Sequence, residues 1–524
     1  MTLQTATANK PKRDFAIEQK IQKEQKSVSL TETLESSIKN PVATANFDTA
    51  ASAKAILAEV GVNAADAGGK LTITGKDPLI PSVFRFASAA AASIGAKAVV
   101  AAAIWRDRGG ADQDITIDAR KAFRRFSGFF DGKWELINGR PPALQSNKYN
   151  AFVPIGHPFF HPTKDGRHVL ALNVYPSLYS KALKLLNASS DPASISAAIA
   201  RWNADDLEQA AAEAGVVISK VRSTEEFLKE PQYRDVLARM PLVSVEKIGE
   251  SEPIPFTPGG KSPLDGIRAL GMGHVIAGGA IGRDLASFGA DVLNVWRPDD
   301  YDLETFIWDA QVGMRSTYLA ETSEGRKRFD ALLSGADVFF SNRHPGFLEQ
   351  RGLTAEELAA KRPGLVHAQV VLHGATGPWA SRPGFDEVGA GVSGIFALEG
   401  SLAEPKQPPI VPIVDNVVGW VGTVGVLAAL RRRAKEGGTY RVRVSLTRIC
   451  LWLIAMGIFD KEFAKTTAGS GDEHRLIDPD LFTAETPLGT YQGMTEQIGF
   501  SSLKTGYRTV LAPMGSSKPE WLQQ

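Results

Sequence analysis

Short apolar runs recur through the second half of the chain, each followed by a stretch with helical spacing. GIRALGM (266–272), ADVLNVW (290–296), ADVFFSN (336–342) and GLVHAQVVL (364–372) read as strands. Between them, Gly278 to Phe288, Ser323 to Leu333 and Ala355 to Lys361 read as amphipathic helices. Strands that are apolar on nearly every position are buried on both faces, and helices between them make the connections parallel. The predicted fold class is α/β, a doubly wound parallel sheet.

Two longer apolar stretches, Phe86 to Trp105 and Val411 to Leu430, have membrane-spanning length. The first is mostly alanine with Lys97 inside it, and the second contains Asp415 and several glycines. A charge inside a bilayer is costly, so both are expected as buried core helices. They head an internal echo. Residues 411–446 run as apolar helix, Arg431-Arg432-Arg433, Gly437-Gly438 and the alternating strand YRVRVSL, while 86–118 run as apolar helix, Arg106-Asp107-Arg108, Gly109-Gly110 and ITID. Residues 1–80 are polar and read as a partly disordered N-terminal arm with an Ala-rich helix at 50–60; order is expected from about Pro81. The segment 251–263 (SEPIPFTPGGKSP) reads as a linker and domain boundary.

Composition narrows the function classes. The 524 residues carry 59 basic and 58 acidic side chains, so no field of one sign invites nucleic acid or an anionic membrane. The single cysteine, Cys450, sits among Ile449, Leu451 and Trp452 and reads as a packing thiol. His157 and His161 are separated by Pro158 and share no helix face, and no metal-ligand spacing appears. Residues 1–26 have no apolar core of a secretory signal, which sets the expectation of a cytoplasmic protein.

The turn Gly278-Gly279-Ala280-Ile281-Gly282 is a degenerate dinucleotide fingerprint, or simply a tight strand-to-helix turn. A nicotinamide enzyme wants an acid at the end of the second strand; this chain has Trp296-Arg297, which suits a phosphate and disfavours an NAD-dependent oxidoreductase. Asp415 opens an otherwise apolar helix, either as an N-cap or as an ionised carboxylate poised for nucleophilic attack. The glycine-rich loop 373–394, with Arg382, Phe385, Asp386 and Glu387, follows a predicted strand where ligand crevices form.

PLDGIRAL (263–270), GRDLASFGADVLNVWRP (282–298), ADVFFSNRHPGFLEQRGL (336–353), GPWASRPGFDEVGAGVSG (377–394) and PIVDNVVGWVGTVGVLAALRRR (412–433) resemble, in order, the family III CoA-transferases and the related α-methylacyl-CoA racemases. The resemblance implies a Rossmann-like CoA-binding domain with a smaller α+β domain. It makes Asp415 the covalent nucleophile and coenzyme A or acyl-CoA the substrate, with a carboxylic acid as acceptor and no permanently bound cofactor. Carried over residue by residue, Val275, Arg297, Asn342, Arg343 and Arg351 line the CoA site. Departures occur at Trp296, where the family has Glu, and at Met314-Arg315, where it has Lys-Arg. The family's racemases carry a histidine thirty residues before the aspartate; Phe385 stands there, which points to transfer rather than racemisation.

The first half resembles other parts of the family. FHPTKDGRHVLALNVYPSLYSKALKLL (160–186) and 195–237 look like its small domain, and the helix at 86–105 matches the one that Asp415 opens, with Ala89 opposite Asp415. The expected organisation is an incomplete first copy at 81–250, the linker, a CoA-transferase domain with the nucleophile at 264–450, and a C-terminal segment at 451–524. The family implies a homodimer. A catalytically idle CoA-binding or assembly protein of the same fold is the alternative.

Overall fold

The computed structural model describes residues 29–126, 131–142 and 159–523. The first 28 residues of the N-terminal arm, and His157, lie outside the described residues. At the centre is a seven-stranded sheet. Its strands are β1 (Val243–Gly249), β2 (Arg268–Met272), β3 (Asp291–Trp296), β4 (Arg315–Tyr318), β5 (Val338–Ser341), β6 (Val366–Val371) and β7 (Thr439–Ser445). Their spatial order is β4-β3-β2-β5-β6-β7-β1. Neighbours from β4 to β7 pair in parallel, and β1 closes the edge antiparallel to β7 with Val245 opposite Val442. The expected doubly wound sheet is therefore present. Its strand order reverses between β2 and β5, and such a reversal opens a crevice at the carboxyl ends of the strands. The residues of β3, β5 and β6 are all buried, the polar Asp291, Asn294, Ser341, His367 and Gln369 among them.

Five helices matter for the site: α1 (Phe86–Asp107), α2 (Pro176–Leu186), α3 (Ala277–Ser287), α4 (Asp386–Ser393) and α5 (Asp415–Glu436). The two apolar stretches of membrane-spanning length fall on α1 and α5, which pack against each other inside the protein. Every side chain from Phe86 to Ile104 is buried. Lys97 is buried too, because Asp284 on α3 and Glu496 of the C-terminal segment (2.8 Å) both pair with its ammonium. By length and composition alone α1 could cross a membrane, but the whole of its apolar window is covered by protein. Helix α5 fits between α3 and the sheet because its glycines leave room. A Cβ at Gly419 would lie 2.4 Å from the Cβ of Ala280, and one at Gly425 would lie 2.6 Å and 2.7 Å from the side chains of Val442 and Val243.

Several expectations about the ends of the chain are corrected. Residues well before Pro81 are ordered: helices occupy Leu30–Lys39 and Thr49–Glu59, and a strand occupies Gly68–Thr74. Leu34, Ala53, Ile56 and Leu57 anchor the two helices in the main core, and a capping box at Ser29 and Glu32 starts the first. Few apolar residues suffice here because each lies on the inward face. Strand Gly68–Thr74 pairs in parallel with Gln113–Asp118 across α1. That strand–helix–strand unit mirrors β6–α5–β7, so the echo is structural. The matching end of α1 holds Phe86 as its first residue and Ala89, which the sequence sets opposite Asp415. Neither side chain is a nucleophile.

The segment 251–263 does not separate independent bodies. Strand β1, just before it, completes the sheet of the second half, and the C-terminal strands Leu481–Thr486 and Gly489–Met494 join Leu136–Ile137 of the first. The small α+β unit is a three-stranded sheet of Phe160–Pro162, His168–Ala171 and Ile218–Lys220 covered by α2 and the helices Pro192–Ile199 and Ala204–Ala214.

Candidate active site

A cleft of about 420 Å³ opens at the point where the strand order reverses. One end is basic. Val275 follows β2, Arg297 follows β3, and Asn342 and Arg343 follow β5, so four side chains singled out from the sequence meet in its wall. Phe347 gathers three guanidinium groups: Arg351 stacks on its ring at 3.8 Å, Arg343 at 5.2 Å and Arg297 at 5.6 Å. Arg351 sits behind this ring and pairs with Glu321 at 2.7 Å instead of lining the cleft. Asp300 binds both Arg297 (2.8 Å) and Arg343 (3.0 Å), which fixes the two forks side by side. Nε of Arg343 is buried with no hydrogen-bond partner among the described residues. Arg297 also lies 3.8 Å from Asp299 and 3.7 Å from Glu321, so acids partly offset the two guanidiniums, whose forked N–H groups still suit a phosphate.

The backbone after β2 is held on three sides. Asn294 accepts from the amide of Gly273 (3.0 Å) and donates to its carbonyl (2.7 Å). Asn342 does the same for His274, at 3.0 Å and 2.7 Å. Asp302 accepts from the amide of Val275 at 2.8 Å. Val275 has φ +57°, a left-handed conformation in which a β-branched residue is a genuine outlier. Asn342 thus contributes structure to the loop more than a free group to the cleft. His274 stays neutral, because burial and then the charge of Arg343 hold its pKa well below the ordinary value.

Asp415 lies in the same cleft, buried at the first position of α5. Val414, not Asp415, occupies the N-cap position of α5, and Asp415 is the first helical residue. Oδ2 of Asp386 accepts from Ile413 (2.6 Å), Val414 (2.7 Å) and Asp415 itself (3.1 Å). The N-cap reading of Asp415 therefore fails: Asp386 holds the helix start, and the Asp415 carboxylate is left to face the cleft. Burial, and then the charge of Asp386, raise the Asp415 pKa well above the carboxylate range. Glu387 is raised in the same way by burial, Asp386 and Asp415. A desolvated carboxylate is poorly stabilised as an anion and correspondingly reactive towards an electrophile.

The first half supplies the rest of the wall. Tyr175, Pro176, Ser177 and Leu178 at the start of α2 line the cleft. The Tyr175 ring stacks on Phe385 with centroids 5.7 Å apart and an interplanar angle of 19°. Phe385, at the place of a racemase histidine, presents an aromatic face with no titratable group. Tyr175, Asp302 and the capping role of Asp386 were not singled out from the sequence. Their partners are distant along the chain, and only the acidic pair opening a helix at 386–387 hinted at the last.

An arginine-rimmed crevice thus lies at a doubly wound switch point and faces a buried carboxylate at a helix start. The sequence profile described as CoA-transferase family III matches residues 44–245 and 264–487, well over half of the chain, and the chain belongs to that family. The two matched segments meet at the proline-rich stretch, as the two-copy echo requires. The chain is similar to an acetyl-coenzyme A transferase of Hypoxylon pulicicidum, 28% identical over 209 residues, covering 38% of this chain and 35% of the relative. It is also similar to a succinyl-CoA–D-citramalate CoA-transferase of Chloroflexus aurantiacus, 34% identical over 160 residues, covering 28% of this chain and 39% of the relative. A solved hypothetical protein from Mycobacterium tuberculosis matches at 31% identity and TM-score 0.34, over 37% of this chain and 57% of its own. The chain thus spans less than two thirds of the length of each of these proteins.

Proposed function

We propose that the chain is a CoA-transferase that moves CoA from an acyl-CoA thioester to a carboxylic acid through a covalent intermediate on Asp415. The observation that carries this reading is one continuous cleft with the Arg297–Arg343 pair at one end and the uncapped, buried Asp415 at the other. The arginines take the phosphates of the nucleotide, and the thioester reaches inward along the apolar wall of Val275, Phe385 and Leu446.

The Asp415 carboxylate attacks the thioester carbonyl and expels the CoA thiolate, leaving a mixed anhydride. The thiolate attacks the aspartyl carbonyl, releasing the donor acid and forming an aspartyl-CoA thioester. The acceptor carboxylate attacks that thioester, again expelling thiolate and forming a second mixed anhydride. The thiolate then attacks the acceptor acyl carbon, which returns Asp415 as a carboxylate. No net proton is consumed, and the overall reaction exchanges one thioester for another of similar energy, with the anhydrides as transient higher-energy intermediates. The donor and acceptor named for the relatives, including succinyl-CoA and D-citramalate, set the first compounds to try.

The test is a screen of acyl-CoA donors against carboxylate acceptors by mass spectrometry, with hydroxylamine added to a parallel sample. A modified peptide containing Asp415 supports the reading. Transfer without any modification, and undiminished in Asp415→Ala, refutes the intermediate.

A further inference from the structure

We propose that Tyr175 and Asp302 are positioning residues that form a strut through which the small α+β unit of the N-terminal half holds Val275 in its left-handed conformation at the cleft wall. The phenol of Tyr175 donates to Oδ1 of Asp302 at 3.1 Å, and Oδ2 of the same carboxylate accepts from the Val275 amide at 2.8 Å. The Leu303 amide completes the carboxylate's partners at 2.9 Å. Asp302 is buried, with no ion pair within salt-bridge distance among the described residues, so these donors are what holds it. Burial raises its pKa to about 6, and burial first, then Asp302, holds the Tyr175 phenol well above its ordinary range as a permanent donor.

Tyr175 touches both walls of the cleft at once. Its hydroxyl reaches the loop after β2 through Asp302, while its ring lies flat on Phe385 and edge-on to Tyr301 at 6.1 Å. Phe385 immediately precedes Asp386, whose carboxylate sets the start of α5 and hence Asp415. One side chain from the first half therefore braces two loops of the second. Val275 would relax to negative φ without this brace, turning its amide away from Asp302 and moving its side chain in the wall it shares with Asp415. The catalytic consequence rests on the proposed transferase reading; the backbone consequence does not.

Tyr175→Phe in the full-length protein keeps the ring stack and removes the hydroxyl alone. Amide hydrogen exchange by mass spectrometry then reads the loop directly. Peptides spanning 270–280 are expected to exchange about tenfold faster, with α2 peptides unchanged. Asp302→Asn, which cannot accept from all three donors, is expected to do the same. In transfer assays, Tyr175→Phe is expected to lower kcat about tenfold while the KM for acyl-CoA stays within about twofold, the split expected for a group that orients and does not bind. Unchanged exchange at 270–280 in both variants overturns the strut. So does loss of protection across α2 in Tyr175→Phe with a normal loop in Asp302→Asn, which makes Tyr175 a packing residue. A wild-type chain with no transferase activity refutes the functional reading, and the exchange experiment still decides the strut.

Discussion

Replacing Lys97 with methionine tests how the two halves are held together. The ammonium is wholly buried between Asp284 and Glu496, 5.6 Å from the Trp420 ring. Methionine keeps the volume and removes the charge. Glu496 keeps Arg283 at 2.9 Å and Tyr507 at 2.7 Å. Asp284 loses its only cation and is left beside the like charge of Glu496, with Oδ2 already lacking a partner. Breaking a buried pair costs about 3–5 kcal/mol. The lower end applies at pH 7, because Asp284 can take up a proton. Burial chiefly raises its pKa to about 7 even with Lys97 present, against about 3.9 for an unfolded aspartate. The folded chain therefore binds this proton more tightly than the unfolded one. Its contribution to stability falls as pH rises from about 4 to 7, then levels off in the wild type. Without Lys97 the folded pKa climbs further, so the fall continues past pH 7 at about 1.4 kcal/mol per pH unit. The mutant should thus trail the wild type by about 3 kcal/mol at pH 7, and the gap should widen as pH rises above 7. Urea unfolding followed by tryptophan fluorescence from pH 6 to 9 measures the gap. A gap that stays constant over that range refutes the assignment of Asp284 as the stranded partner.

Asp415→Asn should abolish transfer while acyl-CoA still binds within about threefold of wild type by calorimetry, since the arginine end is untouched; residual transfer above a hundredth of wild type would sink the nucleophile. Because only the ionised carboxylate attacks, the rate should rise with pH through an acid limb above the ordinary carboxylate range, and Asp386→Asn should move that limb to lower pH by removing the second-largest cause of the shift. A limb that does not move in the pH–rate profile argues against that coupling. Arg297→Ala should weaken CoA binding by about 1.5–3 kcal/mol, the worth of a charge-assisted hydrogen bond, and an unchanged Kd removes Arg297 from the phosphate contacts. No α-proton of a 2-methylacyl-CoA should exchange with heavy water, because Phe385 offers no titratable group; deuterium uptake at that carbon would contradict this.

The sheet was legible because its strands are buried on both faces and read as mostly apolar runs. Strands expected at 290–296 and 364–372 lie at Asp291–Trp296 and Val366–Val371, and the helix expected at 355–361 lies at Ala355–Lys361. Strand β4 was not, since Arg315 and Ser316 look polar in sequence and become buried only when Asp291 and the C-terminal segment cover them. Lys97 was legible as a charge within an apolar helix but not as an ion pair, because its partners lie 187 and 399 residues away. The same distance hid the site's supports. Arg297, Arg343 and Asp415 carry chemistry in their own side chains and local motifs. Asp302 and Tyr175 meet across 127 residues, and no local pattern marks such a pair.

The packing of α1 on α5 has a consequence for synthesis. Phe86 leaves the ribosome roughly 330 residues before Asp415, so at 5–20 residues per second α1 waits about 15–65 seconds for the helix that covers it. During that interval a long alanine-rich surface, with Lys97 unpaired, stands open on the nascent chain. Strand β1 likewise emerges with no β7 to pair against. The N-terminal half must be kept from premature association until the last third of the chain arrives, which makes the yield of folded protein sensitive to elongation rate and to chaperones that bind apolar segments during translation.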